Sequence, residues 1–198
     1  SQQSVTITIR DNESAGSVTL TVSATSIAEN AGTSLTITAT LSSTSDEDVT
    51  VALSTSGTAT EGTDYTDGSG NIDDITISAG DTTGTVNFTP TDDSVYEGNE
   101  TATIAISSVS GGDASENGDQ SVTVTITENE SAPTVTLSVS ATSIAENAGT
   151  SITVTATLSG ATDEAVTVAL STSGTATEGT DYTDGSGDVD DITISAGA

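Results

Sequence analysis

Residues 121–127 read Ser-Val-Thr-Val-Thr-Ile-Thr, a strict alternation of polar and apolar side chains. Successive side chains of a β-strand point to opposite faces, so Val122, Val124 and Ile126 share one face and the threonines share the other. Alternation of this kind is typical of a strand with one buried and one solvated face. The stretch therefore predicts a β-strand that covers an apolar core.

The same alternation recurs along the chain that precedes this stretch. Gly, Asp, Asn and Ser cluster between the alternating segments, as turns require. No segment has helical periodicity. Seven short strands separated by turn signals predict an all-β fold, an antiparallel β-sandwich. The predicted strands are residues 17–23, 34–41, 49–54, 75–78, 84–89, 101–107 and 121–127.

An internal repeat sets the domain organisation. Residues 23–34 recur unchanged at 140–151, and Glu146 lies 117 residues after Glu29. Repetition at a fixed period is the signature of tandem modules. We predict three parts: residues 1–14 as the last strand of a preceding module, 15–131 as a complete module, and 132–198 as the first half of the next. The short linker around residues 131–133 predicts modules placed end to end with little freedom.

Composition narrows the range of partners. The formal net charge is -29, with Lys+Arg 1 and Asp+Glu 30, so nucleic acid and anionic membranes are disfavoured as partners. No apolar run is long enough for direct membrane insertion. Low hydrophobicity with high charge is typical of disorder, whereas the alternation indicates folding. We therefore expect the chain to fold well only when cations neutralise it.

The chain lacks cysteine and also the histidine and lysine of ordinary nucleophilic catalysis. Cys 0 rules out disulfides, so metal is the remaining stabiliser for the thin core of a chain that is only 2% aromatic. With no His, Cys or Lys, the chain has no ordinary nucleophile–base pair. A glycosidase with paired carboxylates stays formally open, but few aromatic side chains are present to stack on a sugar. We predict that the protein is not an enzyme.

The acidic side chains are concentrated in the connections between strands, most of all in residues 89–100. This segment carries Asp92, Asp93, Glu97 and Glu100 within nine residues. Carboxylates this close repel one another unless a positive charge lies among them, and the chain itself supplies almost none. Hard oxygen ligands on a flexible loop favour Ca2+, which takes about six to eight oxygens. The segment predicts a calcium site.

Four motifs, in this order, resemble the Calx-beta domain family. They are residues 27–30, 57–65, 92–100 and 126–130, and the resemblance covers the whole module and the partial copies beside it. It implies a seven-stranded immunoglobulin-like sandwich that binds several Ca2+ ions per module at one end. It also places Glu29 in the first strand and Asp64 in the third connection.

The resemblance implies ligands from several loops, among them a backbone carbonyl from Val95. The closing triplet departs from the family pattern, because Asn129 brings a neutral oxygen where strong binders carry Asp. This departure lowers the expected charge of the site and hence its affinity. The implied ligands are Glu29, Asp64, Asp92, Asp93, Val95, Glu97, Glu100, Glu128, Asn129 and Glu130. Parts of adjacent sites fall on Asp11, Asn12, Glu13, Glu146 and Asp181.

Two smaller features complete the candidates. Residues 67–74 recur as 184–191 and are interpreted either as a lesser calcium site or as an ordinary Gly-rich turn, and the turn is favoured. Asn12, Asn87, Asn99 and Asn129 begin Asn-x-Ser/Thr sequences, which we attribute to chance in so Ser/Thr-rich a chain.

These observations favour a structural role. We expect a calcium-binding extender module of a large secreted cell-surface adhesin or filament, located outside the cell, in which Ca2+ rigidifies modules and junctions. Its partners would be neighbouring modules of the same chain, and its free end strands can pair with another chain. The alternative is a calcium sensor that regulates a neighbouring domain, as exchanger-type members of the family imply. A ligand-binding adhesive module is a third reading, but no exposed aromatic or variable loop supports it.

Overall fold

The structure is a computed structural model that describes residues 2–7, 15–187 and 189–197. Every regular element within these residues is a β-strand. No helix in this part of the chain is long and apolar enough to cross a membrane. Residues 2–7 belong to no strand, and Val5 and Ile7 are 87% and 82% exposed. The predicted site residues Asp11, Asn12 and Glu13 lie outside the described residues.

The chain divides into two compact units. The first comprises Ser1–Thr91 and Glu100–Thr127, and the second comprises Asp92–Asn99 and Glu128–Ala198. In the first unit, the described residues form β1 (Ser17–Val22), β2 (Ser26–Ala28), β3 (Leu35–Leu41), β4 (Val49–Gly57), β5 (Tyr65–Thr66), β6 (Ile75–Ile77), β7 (Thr83–Pro90), β9 (Glu100–Ser110), β10 (Ser115–Glu116) and β11 (Ser121–Thr127).

These strands form two five-stranded sheets. One has the order β10-β1-β3-β7-β5 and the other β2-β11-β9-β4-β6. Most neighbours are antiparallel, but β1 pairs with β10 and β2 pairs with β11 in parallel. The inner faces of both sheets contribute to one buried cluster, which confirms the all-β sandwich.

The core follows from the alternation. Val18 and Leu20 on β1 are buried, as are Ile37, Ala39 and Leu41 on β3, while the threonines between them are at least partly exposed. Tyr65 and Phe88 supply the two largest fully buried side chains, and their rings stack with centroids 4.6 Å apart. Apart from this pair the buried hydrophobic residues among those described are aliphatic, as the composition predicts.

The structure adds detail to the predicted strands. All seven are present, and four strands of two or three residues occur in addition, namely β2, β5, β8 (Val95–Tyr96) and β10. Such short strands are defined by their pairing partners, because two or three residues do not establish an alternation. Both β4 and β9 continue three residues beyond their predicted ends, and their register shifts between Ala52 and Leu53. A bulge there interrupts the alternation, which is why the ends were predicted too early.

A glycine is required where β4 ends. Gly57 has a φ of 133°, and a Cβ atom at this position would lie 2.0 Å from the carbonyl oxygen of Thr101. The backbone N–H groups of Thr58 and Ala59 both donate to that same oxygen. Only a residue without a side chain allows this approach of β4 to β9.

The second unit is less regular. Its described residues form β8 (Val95–Tyr96), β12 (Val135–Val139), β13 (Val154–Leu158), β14 (Ala161–Thr162), β15 (Val166–Val168) and β16 (Ile192–Ile194). They pair as β12-β13, β14-β8 and β15-β16. The large apolar side chains of Leu137 and Val139 are 55% and 50% exposed, so this sheet lacks the buried face of its counterpart β1-β3. The predicted module boundaries stay a prediction.

Candidate metal site

Glu29 is positioned by a strand that differs from the predicted one. It follows β2, a separate strand that pairs with β11, and does not belong to the first strand β1. Its backbone N–H donates to the carbonyl oxygen of Thr127 at 3.0 Å, which fixes it at the end of β11. Its side chain is only 5% exposed. A buried carboxylate is costly unless it is hydrogen-bonded or paired with a cation.

Asp64 closes a turn that leads into β5. Its Oδ2 accepts a hydrogen bond from the backbone N–H of Thr60 at 2.5 Å, and its carbonyl oxygen accepts one from Thr91 at 2.9 Å. The carboxylates of Asp64 and Glu100 offer oxygens within 4.8 Å of each other. The first unit therefore brings together two of the predicted ligands, from positions 36 residues apart in the sequence.

The second unit contains the acidic segment Asp92–Asn99, called here the acidic loop. Asp93 Oδ1 accepts a hydrogen bond from the backbone N–H of Val95 at 2.7 Å, which makes a tight turn at the start of β8. Asp93 and Glu97 offer carboxylate oxygens within 4.8 Å of each other. Asp92 is exposed and Val95 is partly buried.

Glu128 anchors the acidic loop. Its Oε2 accepts hydrogen bonds from the backbone N–H groups of Glu97 and Gly98 at 2.7 and 2.8 Å, and its own N–H donates to Asn99 Oδ1 at 3.0 Å. Partial burial raises the pKa of Glu128, but donors that include the backbone N–H groups of Glu130 and Glu97 outweigh it, so the pKa falls to about 2. The sequence predicted a ligand here, and the structure shows that this carboxylate also holds the loop in place.

Glu130 lies beside Glu128. The two residues offer carboxylate oxygens within 4.8 Å of each other. Hydrogen bonding to the Glu128 carboxylate raises the pKa of Glu130, and the negative charges of Glu128 and Asp92 raise it further. One oxygen, Glu130 Oε2, is buried and has no hydrogen-bond partner. A divalent cation bound at this oxygen would supply the missing partner, so the residues present fit Ca2+.

Asn129 hydrogen-bonds to both neighbouring glutamates and is more exposed than they are. Its side-chain Nδ2 donates to Glu130 Oε1 at 2.8 Å and its backbone N–H donates to Glu128 Oε1 at 2.8 Å, while the residue itself is exposed. For the following module, Glu146 is exposed, and Asp181 Oδ2 accepts from the Thr177 N–H just as Asp64 accepts from Thr60. The turn that carries Asp64 is thus repeated with its hydrogen bond intact.

The chemistry of the candidate ligands is uniform. They are carboxylates, one amide and one backbone carbonyl, and the single basic residue of the chain, Arg10, lies outside the described residues. Hard oxygen donors of high negative charge select Ca2+ or Mg2+ over softer transition metals. Several ligands on a loop favour Ca2+, because Mg2+ demands a smaller and more regular octahedron.

The other acidic loop, residues 67–74, is arranged differently. Asp67 Oδ1 accepts hydrogen bonds from the backbone N–H groups of Ser69 and Gly70 at 2.6 and 3.2 Å. The backbone N–H of Ser69 has the largest effect in lowering the pKa of Asp67, and that of Gly70 lowers it further. Asp74 Oδ1 accepts from the Leu53 N–H at 3.0 Å. Carboxylates used in this way are what the ordinary turn requires.

Sequence reasoning missed Glu61, which holds that loop in place. Its Oε1 accepts from the Ile72 N–H at 2.5 Å and its Oε2 from the Thr55 hydroxyl at 2.8 Å. Glu178, 117 residues later, accepts from Val189 N–H and from the Thr172 hydroxyl in the same way. The signal was available, because the glutamate recurs in both copies of the motif at the same distance from its partners.

Similarity to known proteins identifies the family of this chain. The model of the Calx-beta domain matches residues 11–130 and 128–190, which together span most of the chain. The chain belongs to the Calx-beta domain family. Calx-beta domains are calcium-binding modules without enzymatic activity, and the acidic groups described above are of the kind that holds such an ion.

Two solved structures resemble this Calx-beta protein. The apo form of the Calx CBD1 domain matches at 20% sequence identity with a TM-score of 0.45, covering 58% of this chain and 98% of that one. CBD12 from CALX1.2 matches at 21% identity with a TM-score of 0.45, covering 55% of this chain and 43% of that one. No curated protein sequence matches the chain.

Proposed function

We propose that this protein is a calcium-binding structural extender, part of a large secreted adhesin or filament at the cell surface. The ligands would be Glu29, Asp64, Asp92, Asp93, the Val95 carbonyl, Glu97, Glu100, Glu128, Asn129 and Glu130. Bound Ca2+ would stiffen each module and its junction with the next. Neighbouring modules of the same chain would be its partners.

One observation carries the calcium part of this proposal. Glu130 has a buried carboxylate oxygen without a partner, and its pKa is raised by the neighbouring carboxylate of Glu128. Two carboxylates held this close are unfavourable while both are charged, unless a cation lies near them.

The extender part is supported by the repeat. Twelve successive residues, 23–34, recur unchanged at 140–151. Near-identical copies suit a protein whose task is length, whereas a sensor is expected to combine modules that differ. Ca2+ that binds only the folded module stabilises it by mass action. At a concentration about a thousandfold above the dissociation constant, the gain is about 4 kcal/mol per ion. That is a large share of the stability of an ordinary domain.

A thermal melt tests this function. The full chain is heated in millimolar Ca2+, in EDTA and in Mg2+ at equal ionic strength, with circular dichroism as the readout. We expect a melting temperature higher in Ca2+ than in EDTA by about ten degrees, at roughly 2–4 °C for each kcal/mol in a chain of 198 residues, and little effect of Mg2+. Coincident melts would disprove calcium binding. A titration then separates an extender site of micromolar or weaker affinity from the submicromolar affinity of a sensor.

A further inference from the structure

The acidic loop forms a second contact, with residues that the sequence assigns to the next module. Within the second unit, β8 pairs in parallel with β14, so that Val95 lies opposite Ala161 and Tyr96 opposite Thr162. The backbone N–H of Asp163 donates to the carbonyl oxygen of Tyr96 at 3.4 Å. The turn at residues 159–164, called here the docking turn, therefore adds one short strand, β14, beside the strand β8 of the acidic loop.

The repeat supplies a matched turn for comparison. Residues 42–47 of the first unit are the counterpart of the docking turn. Ser45 corresponds to Thr162, and the two make the same local hydrogen bonds: each carbonyl oxygen accepts at 2.8 Å from a glycine N–H, Gly80 and Gly197 respectively. Thr162 is buried at 7% exposed, whereas Ser45 is only partly buried. The turn itself is thus the same, and the greater burial of Thr162 accompanies the pairing with β8.

The sequences of the two turns also differ where the contact forms. Positions 43–45 are Ser-Thr-Ser, and their counterparts 160–162 are Gly-Ala-Thr. Asp48 is replaced by Ala165. The docking turn is therefore less polar, and the position that follows it has lost an acid. Both changes lower the cost of packing against a loop that is itself acidic.

We infer that the docking turn is an interaction surface that positions the calcium-binding loop of the preceding module. The contact uses backbone groups, as in strand addition, so it needs a matching edge more than particular side chains. The acidic loop is then held on two sides, by Glu128 through the N–H groups of Glu97 and Gly98, and by the docking turn through Tyr96. A loop ordered before the ion arrives binds it more tightly, because less conformational entropy is lost on binding.

Calcium binding and docking are therefore coupled, and thermodynamic coupling is reciprocal. An ordered docking turn raises the affinity of the loop for Ca2+, and Ca2+ in turn strengthens the contact with the following module. The coupling rests on the proposed calcium function, because it is measured as a change in Ca2+ affinity. The docking contact itself does not depend on the metal.

The test uses the full chain with Thr162→Asp, which puts a carboxylate into the buried contact. Ser45→Asp is the matched control, since it makes the same change at the corresponding position of the first unit's turn. The rate of amide hydrogen exchange at residues 95–98, measured in metal-free buffer, reports whether the acidic loop is docked. We expect Thr162→Asp to accelerate this exchange about tenfold and to raise the Ca2+ dissociation constant, measured by calorimetry, about fivefold. Ser45→Asp should change neither.

Two further variants guard against misfolding. Thr162→Val keeps the backbone pairing and should behave like the wild type. Asp163→Pro removes one N–H donor from an exposed position, while Thr162 before it stays in the extended conformation that a following proline favours. It should accelerate exchange at residues 95–98 without loss of the circular dichroism spectrum.

The outcomes are distinguishable. Unchanged exchange at residues 95–98 in both Thr162→Asp and Asp163→Pro would overturn the docking inference, whatever the calcium results. A wild-type chain that binds no Ca2+ would instead disprove the proposed function, and the exchange data would still decide whether the loop docks. Accelerated exchange with unchanged Ca2+ affinity would overturn the coupling.

Discussion

Two acidic loops of this protein look alike in sequence and differ in how their carboxylates are used. In residues 67–74, and in Glu61 beside them, the carboxylate oxygens accept hydrogen bonds from backbone N–H groups and a hydroxyl. In the acidic loop and the triplet that follows β11, carboxylates lie within 4.8 Å of other carboxylates. One oxygen of Glu130 is buried without a partner. Acidic composition alone therefore does not identify a metal site. Asp93 and Glu128 also accept hydrogen bonds from backbone N–H groups, so the closeness of the carboxylates and the unpartnered oxygen of Glu130 separate the two cases.

The largest expected effect tests this difference directly. The double variant Asp93→Asn/Glu97→Gln removes two charges from the acidic loop, and affinity for Ca2+ follows ligand charge. We expect Ca2+ binding to weaken about a hundredfold, which corresponds to about 2.7 kcal/mol, and most of the calcium-induced rise in melting temperature to disappear. Calorimetry and thermal melts in Ca2+ and EDTA measure both.

The matched control makes the same change of charge in the other loop. Asp67→Asn/Asp73→Asn keeps an oxygen acceptor at each position, so the turn should persist. Its calcium-induced shift should equal that of the wild type. If this control weakened Ca2+ binding as much as the first variant, the two loops would not differ in function and the comparison would be wrong.

An intermediate effect is expected from Glu61→Ala. The change leaves the Ile72 N–H and the Thr55 hydroxyl without their acceptor, and unpaired polar groups that are partly buried destabilise a fold. We expect a loss of about 1–2 kcal/mol in the free energy of unfolding. Urea denaturation should give the same loss in Ca2+ and in EDTA. A loss confined to Ca2+ would instead assign Glu61 to the metal site.

The smallest expected effect is a change of stability at low pH. The backbone N–H of Ser69 lowers the pKa of Asp67 below its ordinary value of 3.8. A group whose pKa is lowered by folding stabilises the folded state above the unfolded value, and this contribution is lost as the pH falls through the folded value. The wild type should therefore exceed Asp67→Asn in melting temperature at pH 5, and the difference should shrink towards pH 2. A difference that is constant with pH would exclude the carboxylate as its source.

Much of the fold was accessible from the sequence, because alternation is a local property. The threonines and β-branched residues of β1, β3, β7 and β11 repeat with period 2, and their strands lie within one residue of the predicted bounds. The ends of β4 and β9 were not accessible. Their register shift between Ala52 and Leu53 depends on the partner strand. The same holds for β2, which exists only through its pairing with β11.

The site divides in the same way. The sequence by itself determined that the chain is acidic, β-structured and repeated, and that its carboxylates concentrate in connections between strands. Only the tertiary structure decided which carboxylates meet backbone N–H groups and which meet one another. Glu128 and Glu97 are 31 residues apart. No local pattern encodes such contacts, because they form only when separate strands place their loops side by side.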